Sequence, residues 1–415
     1  MSSQKKTIKN LTFRSQLKAP RRYKRAGKSV YLCTARKMFI QATEEERVRQ
    51  EFIIFLRDKV GVPEKMLYAE KAMSHYKRGA RGRADIVGHA TTEKPLFVVE
   101  CKKPETPLTQ DVFEQAKAYA DCSGSGIVLI TNGIDTEVEI QENGEWLRAK
   151  GILTYKEMMK IKDYDYKKPG RRPWKRPAYK NISKAIEAGR FNFGSNQKGH
   201  RDYGCFGVDS PVENRPFFAN LVGLLLDETE SPKLPIRKNN ITVREDLKLR
   251  YSSFGNAAGG GYTSHYRGFV VNDKNDDDQI VSLSITGTMS RKGHPKLGNR
   301  RGNTQLNLAI DDFEKRPHHS LQLDMDRFVK RSAQKALIWH NGRMTAGNKG
   351  SVPRDLVLEY ISVNSPHLLR GNTVLLGELP IDRNIGWQDA RRFLINCIEY
   401  ALLRDEYRGV YRGKA

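Results

Sequence analysis

The sequence predicts an α/β domain near the N terminus, followed by a second unit of mixed α+β character. Three observations support this division: helix and strand patterns alternate over residues 42–165, three prolines interrupt residues 169–177, and strand-like runs dominate after residue 205. The 415 residues suffice for two or three folded units. We therefore divide the chain into a basic N-terminal arm (1–41), the α/β domain (42–165), a basic, proline-rich linker (166–204) and the second unit (205–415).

Local signals in the α/β domain predict its helices and strands in order. Thr43 followed by three glutamates is typical of a helix N-cap with a capping box, and Gly61 marks the end of that helix. Unbroken apolar runs predict strands that are covered on both faces. The predicted elements are a helix from Thr43 to Gly61, strands at 84–89 and 95–102, a helix from Thr109 to about Asp121, and strands at 126–131 and from residue 138.

Residues after 205 give weaker signals, which predict mainly strands and one long helix. Glycines concentrate between Gly255 and Gly261, but the Lys-Ser/Thr end of a phosphate-binding loop is missing, so we interpret this run as a surface loop. The predicted elements are strands at 279–286, 304–310, 319–325, 335–340 and 354–363, and a final helix from Trp387 to about Tyr407.

The net charge of +25 is concentrated in two stretches. Residues 1–43 carry twelve Lys or Arg and no acidic residue, and residues 158–202 carry thirteen against four acidic residues. Basic stretches with interleaved aromatic residues indicate a nucleic-acid partner; the alternative is a tail that only aids solubility. We expect the arm to bind DNA, because it directly precedes the α/β domain. The candidate nucleic-acid-binding residues are Arg21, Arg22, Lys24, Arg25, Arg171, Arg172, Trp174, Lys175 and Arg176.

Composition argues against several other classes of protein. The sequence has no apolar run of the roughly 20 residues that a membrane-spanning helix needs, and its first residues lead into lysines without the apolar core of a signal peptide. Its five cysteines are odd in number and form no C-x-x-C pair, which argues against a disulfide framework or a thiolate zinc site. We therefore expect a cytoplasmic protein without membrane association.

Two carboxylates and a lysine in the predicted strands form the candidate catalytic site. Glu100 and Lys102 lie two residues apart, so their side chains share one face of a strand, and Asp85 lies in the preceding strand. Two carboxylates together with phosphate oxygens can hold Mg²⁺, and a lysine can orient water and neutralise charge at phosphorus. The pattern predicts phosphodiester hydrolysis; the alternative is a solvated strand end with a chance Glu-x-Lys. Gln115 and Tyr119, four residues apart on the next helix, can support the carboxylates or contact DNA.

Five motifs in order resemble the N-terminal nuclease domain of type I restriction subunits, a branch of the PD-(D/E)xK superfamily. They fall within residues 42–142 and are Glu45-Glu-Arg-Val-Arg-Gln50, Arg83-Ala-Asp-Ile-Val87, Val99-Glu-Cys-Lys-Lys-Pro104, Gln115-x-x-x-Tyr119 and Ile130-Thr-Asn-Gly133. The first unit is therefore expected to have a restriction-endonuclease-like α/β fold. Ala84 stands where the superfamily motif has proline, a position that shapes the turn and binds nothing.

The resemblance implies roles for individual residues. Asp85 and Glu100 would bind Mg²⁺ or Mn²⁺, and Lys102 would be the catalytic lysine. Gln115 and Tyr119 would complete the signature on the helix. Two further residues match acidic positions of the pattern and would have supporting roles: Glu45 and Glu70.

The second unit resembles the APAZ domain, which accompanies short prokaryotic Argonautes and is similar to the N-terminal and linker domains of long ones. The likeness covers about residues 205–412 and is one of overall pattern, without a catalytic signature. It rests on the stretches 247–256, 318–324, 339–342 and 399–408. A type I restriction subunit would instead continue into a helicase motor with a G-x-x-x-x-G-K-[ST] loop, which this sequence lacks.

Together the two resemblances imply the nuclease effector of a short Argonaute system. Its partner would be a bacterial MID-PIWI protein that holds a guide RNA and recognises invading DNA by base pairing. The two proteins would form a heterodimer that assembles into higher oligomers on activation. The nuclease would then degrade DNA without sequence preference in the bacterial cytoplasm and kill the infected cell.

Two alternatives remain open. In the first, the chain is a stand-alone restriction-type endonuclease whose second unit reads a DNA sequence itself, which predicts cleavage at defined sites by the purified chain. In the second, the nuclease fold is a DNA-binding scaffold without activity. The scaffold would leave Asp85, Glu100 and Lys102 present without purpose.

Overall fold

The computed structural model describes residues 8–9, 17–162, 164, 174–191, 204–239, 241–256, 261–294, 298–311, 313, 317–347 and 350–414. The chain divides into two compact units, an N-terminal unit (Met1–Arg171) and a C-terminal unit (Arg172–Ala415). Within the described ranges, no helix combines the length and the apolar character needed to cross a membrane.

The N-terminal unit is built on a six-stranded sheet with a helix on each face. Its elements are β1 (Ile8–Lys9), β2 (Arg22–Arg25), β3 (Lys28–Cys33), β4 (Met38–Gln41), α1 (Glu44–Phe55), β5 (Leu67–Ala72), β6 (Arg83–His89), β7 (Pro95–Cys101), α2 (Gln110–Ser123), β8 (Ile127–Thr131), β9 (Thr136–Glu142), β10 (Glu145–Arg148), β11 (Gly151–Ile152) and α3 (Tyr155–Ile161). These bounds confirm the helices and strands predicted for residues 43–142.

The order of strands in the main sheet is β10-β9-β8-β7-β6-β5. All neighbours are antiparallel except β7 and β8, which run parallel because α2 connects them as a crossover. Alternate residues of β7 enter two different cores: Phe97 and Val99 pack with α1, and Val98 packs with α2. Glu100 continues the alternation on the α2 side, so the fold directs its side chain toward that helix.

The first helix begins as predicted but uses only half of the expected capping box. The Thr43 hydroxyl accepts a hydrogen bond from the Glu46 backbone N–H at 3.1 Å. The Glu46 side chain turns instead to Gln50, whose amide donates to it at 2.8 Å. A complete capping box occurs at α3, between Thr154 and Glu157.

The structure places a small folded sheet where the sequence predicts a basic arm. Strands β2, β3 and β4 form a three-stranded antiparallel sheet. Buried apolar side chains occur on both of its faces: Tyr23 lies opposite Val30, and Tyr31, which lies opposite Arg22, points to the other face. Cys33 joins the core cluster that contains Val48 and Phe52 of α1. Charge counting conceals this sheet, because it ignores the apolar residues that lie between the cations.

The C-terminal unit begins inside the predicted linker. Trp174 packs against Phe191 with ring centroids 5.8 Å apart, and Ile182 and Ala185 enter the core of this unit. The Arg176 guanidinium donates to the Ile385 carbonyl oxygen at 2.6 Å, so this predicted nucleic-acid contact is used in packing. Lys175 is exposed. Arg171 and Arg172 lie outside the described residues.

The rest of the C-terminal unit is mixed α+β, as predicted. Its elements are α4 (Ile182–Glu187), α5 (Arg215–Leu226), β12 (Ile236–Lys238), β13 (Ile241–Gly255), β14 (Gly261–Asn272), β15 (Asp278–Gly287), β16 (Arg291–His294), β17 (Gly298–Arg300), β18 (Thr304–Asp311), β19 (His318–Asp324), α6 (Met325–Phe328), β20 (Val329–Arg331), β21 (Lys335–His340), β22 (Met344–Thr345), β23 (Ser351–Val352), α7 (Arg354–Asn364), β24 (Leu369–Arg370), β25 (Thr373–Pro380) and α8 (Arg391–Lys414).

Two sheets organise this unit, with strand orders β12-β13-β14-β15-β18-β19 and β20-β21-β25-β24. Four of the five predicted strands are confirmed, but residues 354–363 form the helix α7 instead. Val357, Leu358 and Ile361 are buried at helical spacing, a period that the apolar run obscured. The final helix begins four residues later than predicted, at Arg391, and continues to Lys414.

A buried tyrosine of the small sheet generates a stability prediction. Tyr31 is 2% exposed, so Tyr31→Ala should remove about 3 kcal/mol of core packing and increase amide hydrogen exchange across β2, β3 and β4. Lys28→Ala, at an exposed position of the same strand, should change stability by less than about 0.5 kcal/mol. Hydrogen-exchange mass spectrometry of residues 22–41 measures both. Equal exchange in wild type and Tyr31→Ala would instead indicate an unfolded arm.

Candidate active site

The strands β6 and β7 bring three of the predicted catalytic residues to one place, with α2 above them. Glu100 is buried near the end of β7, and Lys102 follows directly after that strand. Glu100 Oε1 accepts hydrogen bonds from Lys102 Nζ at 2.9 Å and from Gln115 Nε2 at 2.8 Å. Lys102 Nζ also donates to Gln115 Oε1 at 3.3 Å. The predicted grouping of Glu100, Lys102 and Gln115 therefore exists as one hydrogen-bonded cluster.

The second oxygen of Glu100 is the most unusual atom of this cluster. Oε2 is buried and has no hydrogen-bond partner among the described residues. Burial raises the pKa of Glu100 to about 7, and the nearby charge of Asp85 adds to this effect. A buried carboxylate oxygen without a partner is costly, so it favours a proton or a cation.

Asp85 has the opposite arrangement, because both of its oxygens are occupied. Oδ1 accepts from Arg49 Nη2 at 2.6 Å, and Oδ2 accepts from the Cys101 backbone N–H at 2.6 Å. Burial raises the pKa of Asp85, while the positive charge of Arg49 opposes that rise. The backbone bond to Cys101 fixes Asp85 against β7, and therefore beside Glu100.

Arg49 is the central residue that the sequence analysis missed. Its guanidinium, on α1, contacts four carboxylates: Glu45 at 3.3 Å, Glu46, Glu70 at 3.0 Å and Asp85 at 2.6 Å. Burial opposes the charge of Arg49, but the surrounding carboxylates raise its pKa, so it stays ionised. The sequence signal was the Glu45-x-x-x-Arg49 spacing, which places both side chains on one face of a helix.

Glu45 and Glu70, the predicted supporting residues, act on Arg49. Each contacts the guanidinium that holds Asp85. Glu70 has a positive φ of 53°, a conformation that is unfavourable for a residue with a side chain. Glu70 holds this backbone conformation while its carboxylate contacts Arg49. Glu46, which is buried and also contacts Arg49, was missed by the sequence analysis.

Tyr119, predicted to support the carboxylates or to contact DNA, lies beside the loop that precedes β6. It packs against Gly82, where a side-chain carbon would lie only 2.8 Å from the Tyr119 hydroxyl oxygen. Gly82 also has a φ of +88°, so both its conformation and its space require glycine. Tyr119 thereby supports the loop that precedes β6, and its predicted contact with DNA stays a prediction.

That loop, residues 77–83, is strongly cationic and leads directly into the strand that carries Asp85. Its sequence is Lys-Arg-Gly-Ala-Arg-Gly-Arg, and it contains no acidic residue. Lys77, Arg78, Arg81 and Arg83 are all exposed, and their side chains form no ion pair with any residue that the structure describes. We call this segment the cationic loop. Charge sums over longer stretches did not reveal it.

The described residues contain no group of three or more His, Cys, Asp or Glu side chains arranged to hold a metal ion. Asp85 and Glu100 nevertheless fit Mg²⁺, because this ion is commonly bound through one or two carboxylates and completes its octahedron with water and phosphate oxygens. The unpartnered Glu100 Oε2 supports this fit.

Comparison with known families agrees with this geometry. Residues 44–148 match the family model of the type I restriction enzyme R protein N terminus (HSDR_N). The N-terminal unit carries a nuclease-like domain. The match covers roughly a quarter of the chain and includes Arg49, Asp85, Glu100 and Lys102. Searches of curated proteins and of solved structures find no match.

The raised pKa of Glu100 generates a pH-dependent stability prediction. Folded Glu100 keeps its proton up to about pH 7, whereas an unfolded glutamate loses it near its ordinary pKa of 4.5. The free energy of unfolding should therefore fall as pH rises from about 4.5 to 7, and stay lowered above that range. Glu100→Gln should be more stable than wild type at pH 8, by on the order of 1–3 kcal/mol, and similar to it at pH 5.

Urea unfolding in EDTA at both pH values tests this expectation. Glu114→Gln, at an exposed position of α2, is the matched control and should show no such pH-dependent gain. A stability difference for Glu100→Gln that is the same at pH 5 and pH 8 would contradict the prediction.

Proposed function

We propose that this protein is a metal-dependent DNA endonuclease of the PD-(D/E)xK type. The observation that carries the proposal is the buried, unpartnered Oε2 of Glu100, beside the Lys102 ammonium and within a nuclease-like domain. Asp85 and Glu100 would hold Mg²⁺ or Mn²⁺. When bound, the divalent ion supplies Lewis acidity toward phosphate and lowers the pKa of a water molecule.

Lys102 acts in this proposal as a cation. Burial opposes its charge, but the hydrogen bond and the negative charge of Glu100 outweigh burial and raise its pKa. In this proposal Lys102 is therefore used as a cation and not as the base that removes a proton from water. Its Nζ, held by Glu100 and Gln115, is positioned to orient water and to stabilise negative charge that develops on phosphate oxygens.

Arg49 serves as a positioning residue. Its contact with Oδ1, together with the Cys101 N–H on Oδ2, fixes the orientation of the Asp85 carboxylate. Fixed carboxylates bind a divalent ion without first losing conformational freedom. Arg49 also lowers the mutual repulsion of the buried acids, which allows Asp85 and Glu100 to lie close together.

The cationic loop is the proposed contact to the DNA backbone. Four exposed cations, which form no ion pair with the residues that the structure describes, lie within seven residues and end two residues before Asp85. DNA phosphates bind such groups without sequence information. Arg22 and Lys24 of β2, and Arg21 directly before that strand, are also exposed, and we propose that they contact DNA as well.

For the C-terminal unit, we propose an APAZ-like role in a short Argonaute system. The support is the sequence pattern over residues 205–412 and its mixed α+β architecture. The partner would be a MID-PIWI protein with guide RNA and target DNA. Pairing of guide and target would activate a heterodimer, through higher oligomers, to degrade DNA without sequence preference as an abortive-infection defence. The cytoplasmic location expected from the sequence belongs to the same proposal.

Lys102→Ala tests the reacting centre. The substitution should lower degradation of plasmid and single-stranded DNA in Mg²⁺ or Mn²⁺ at least about 100-fold, because it removes the cation beside the reacting phosphate. Lys103→Ala is the matched control, since Lys103 is exposed and next in sequence, and should retain activity. Both variants are assayed alone and with the partner, guide RNA and target DNA.

The comparison between lone and assembled protein decides between the open alternatives. Degradation that requires the partner complex would support the Argonaute system. Cutting at defined sites by the lone chain would favour a self-sufficient restriction enzyme. Equal degradation by wild type and Lys102→Ala would overturn the proposed centre, and folded, DNA-binding protein that never cleaves would support the scaffold alternative.

A second prediction concerns the cationic loop. The combined variant Lys77→Ala, Arg78→Ala and Arg81→Ala should weaken DNA binding and reduce the slope of log affinity against log salt by up to about 2.7, because up to three phosphate contacts are lost. The control replaces three exposed lysines elsewhere in the N-terminal unit, Lys65, Lys156 and Lys160, with alanine. Fluorescence anisotropy at several salt concentrations measures the slopes. Equal slopes for both triple variants would exclude a special role of the loop.

A further inference from the structure

The C-terminal unit contains a cavity of about 500 Å³ that is lined by four arginines. They are Arg343, Arg354, Arg404 and Arg408. The remaining lining residues are polar, aliphatic or histidine, and none of the lining residues is acidic. We call this feature the arginine cavity. Neither the nuclease-like domain nor the family match extends to it.

Two of these arginines are buried on one face of α8. Arg404 and Arg408 are each 5% exposed and lie one helical turn apart. Both donate to the Ser320 carbonyl oxygen, Arg404 at 3.1 Å and Arg408 at 3.0 Å. Arg404 also donates to the Arg343 carbonyl oxygen, and Arg408 to that of Thr345. Neutral backbone acceptors hold these guanidinium groups in place without cancelling their charge.

Negative charge near the cavity is scarce. Arg408 contacts one carboxylate, Asp405, at 3.1 Å, and Asp405 also contacts His318. Burial lowers the pKa of Arg408 to about 10, and the nearby charge of Arg404 adds to this effect. Burial also lowers the pKa of His319 to about 4, so this lining histidine is neutral. The cavity is left with a buried excess of positive charge, which is unfavourable without an anion.

A buried arginine with a structural role in the same unit is compensated differently. Arg267 is completely buried, and both oxygens of Asp246 accept its hydrogen bonds, at 3.1 and 2.6 Å. Both arginines also lie near an aromatic ring, Arg267 at 4.6 Å from the Trp387 centroid and Arg404 at 5.3 Å from the Tyr400 centroid, so the difference between them is the carboxylate partner. Arg404 has no carboxylate partner among the described residues, and its Nη2 donates no hydrogen bond to any of them. Its donor capacity is therefore available in the cavity.

We propose that the arginine cavity binds a phosphate group of a nucleic-acid strand. A guanidinium group binds phosphate through two parallel N–H donors. Arg343, which is exposed, provides one more such group at the cavity. The lining contains no Phe, Tyr or Trp on which a base could stack, so recognition is of phosphate and not of sequence. The phosphate is either at a strand end or within the chain. The inference rests on the proposed function in taking nucleic acid as the ligand.

The test measures binding of short oligonucleotides to the full chain carrying Lys102→Ala, in EDTA, so that no cleavage occurs. The probes are tetranucleotides with a 3′ fluorophore and either a 5′-phosphate or a 5′-hydroxyl. Arg343→Ala should weaken binding of the phosphorylated probe about tenfold. Thr345→Glu, which adds a carboxylate at an exposed lining position, should weaken it further. Arg237→Ala is the control, because Arg237 is exposed and does not line the cavity.

The two probes distinguish the source of the phosphate. A loss confined to the 5′-phosphorylated probe supports a strand end, and an equal loss for both supports an internal phosphate. Retained binding in Arg343→Ala and Thr345→Glu would overturn the inference. Failure of inorganic pyrophosphate to displace the phosphorylated probe from the parent chain would also overturn it, since a guanidinium site for phosphate binds that anion.

The experiments distinguish an error in the cavity inference from an error in the nuclease proposal. The cationic-loop variant should keep tetranucleotide binding at the cavity, and loss of that binding in the loop variant alone would overturn the cavity site while leaving the nuclease proposal intact. Conversely, an inactive nuclease centre would leave cavity binding unchanged, because the assay contains no metal and no reaction.

Discussion

The N-terminal unit depends on the neutralisation of two buried carboxylates that lie side by side. Asp85 and Glu100 are 7% and 4% exposed, and each raises the electrostatic cost of the other. Arg49 makes the arrangement possible, because one guanidinium reaches Asp85 together with three glutamates. The position of α1 against the sheet follows from this ion-pair cluster as well as from apolar packing, since α1 carries Arg49 beside Val48 and Phe52.

Asp85 and Glu100 are neutralised to different extents, and this difference determines what each carboxylate can bind. Asp85 accepts one hydrogen bond on each oxygen, from Arg49 and from the Cys101 N–H, so its orientation is fixed while each oxygen keeps a lone pair that can bind a metal ion. Glu100 keeps one buried oxygen without a partner, so it gains most from a proton or a metal ion. Lys102 and Gln115 occupy only the other oxygen. The end of β7 therefore brings together a carboxylate of fixed orientation (Asp85), a carboxylate oxygen that can accept a metal ion (Glu100) and a cation (Lys102). These are the groups that metal-dependent phosphate chemistry uses.

In the C-terminal unit, the incompletely paired buried groups are positively charged arginines instead of carboxylates. Arg267 is buried, and it donates hydrogen bonds to both carboxylate oxygens of Asp246, which balance its charge. Arg404 and Arg408 are buried against backbone carbonyls, and among the described residues only Arg408 contacts a carboxylate, that of Asp405. In each unit, the group that burial leaves incompletely paired marks the candidate binding site: an acid in the nuclease-like domain, and arginines in the arginine cavity. Whether a buried charged residue has all of its partners therefore distinguishes a structural residue from a candidate binding residue more clearly than its burial does.

The sequence by itself determined the order of helices and strands over residues 43–142 and the grouping of Glu100, Lys102 and Gln115. These features depend on local periodicity and on residues close in sequence, which a single chain displays directly. It did not determine the role of Arg49, because Arg49 and Asp85 lie 36 residues apart and meet only when α1 packs on the sheet. Local charge counting also concealed the folded sheet at residues 22–41.

Only the tertiary structure decided which charged residues have partners within the protein and which have donors or acceptors available for a ligand. Arg176 proved to be a packing residue, Tyr119 a support for the cationic loop, and Arg404 a lining residue of a cavity, although all are ordinary polar residues in the sequence. The physical reason is that pairing depends on distances between segments remote in the chain. Burial then sets the energy of each pairing, and neither quantity is contained in residue spacing.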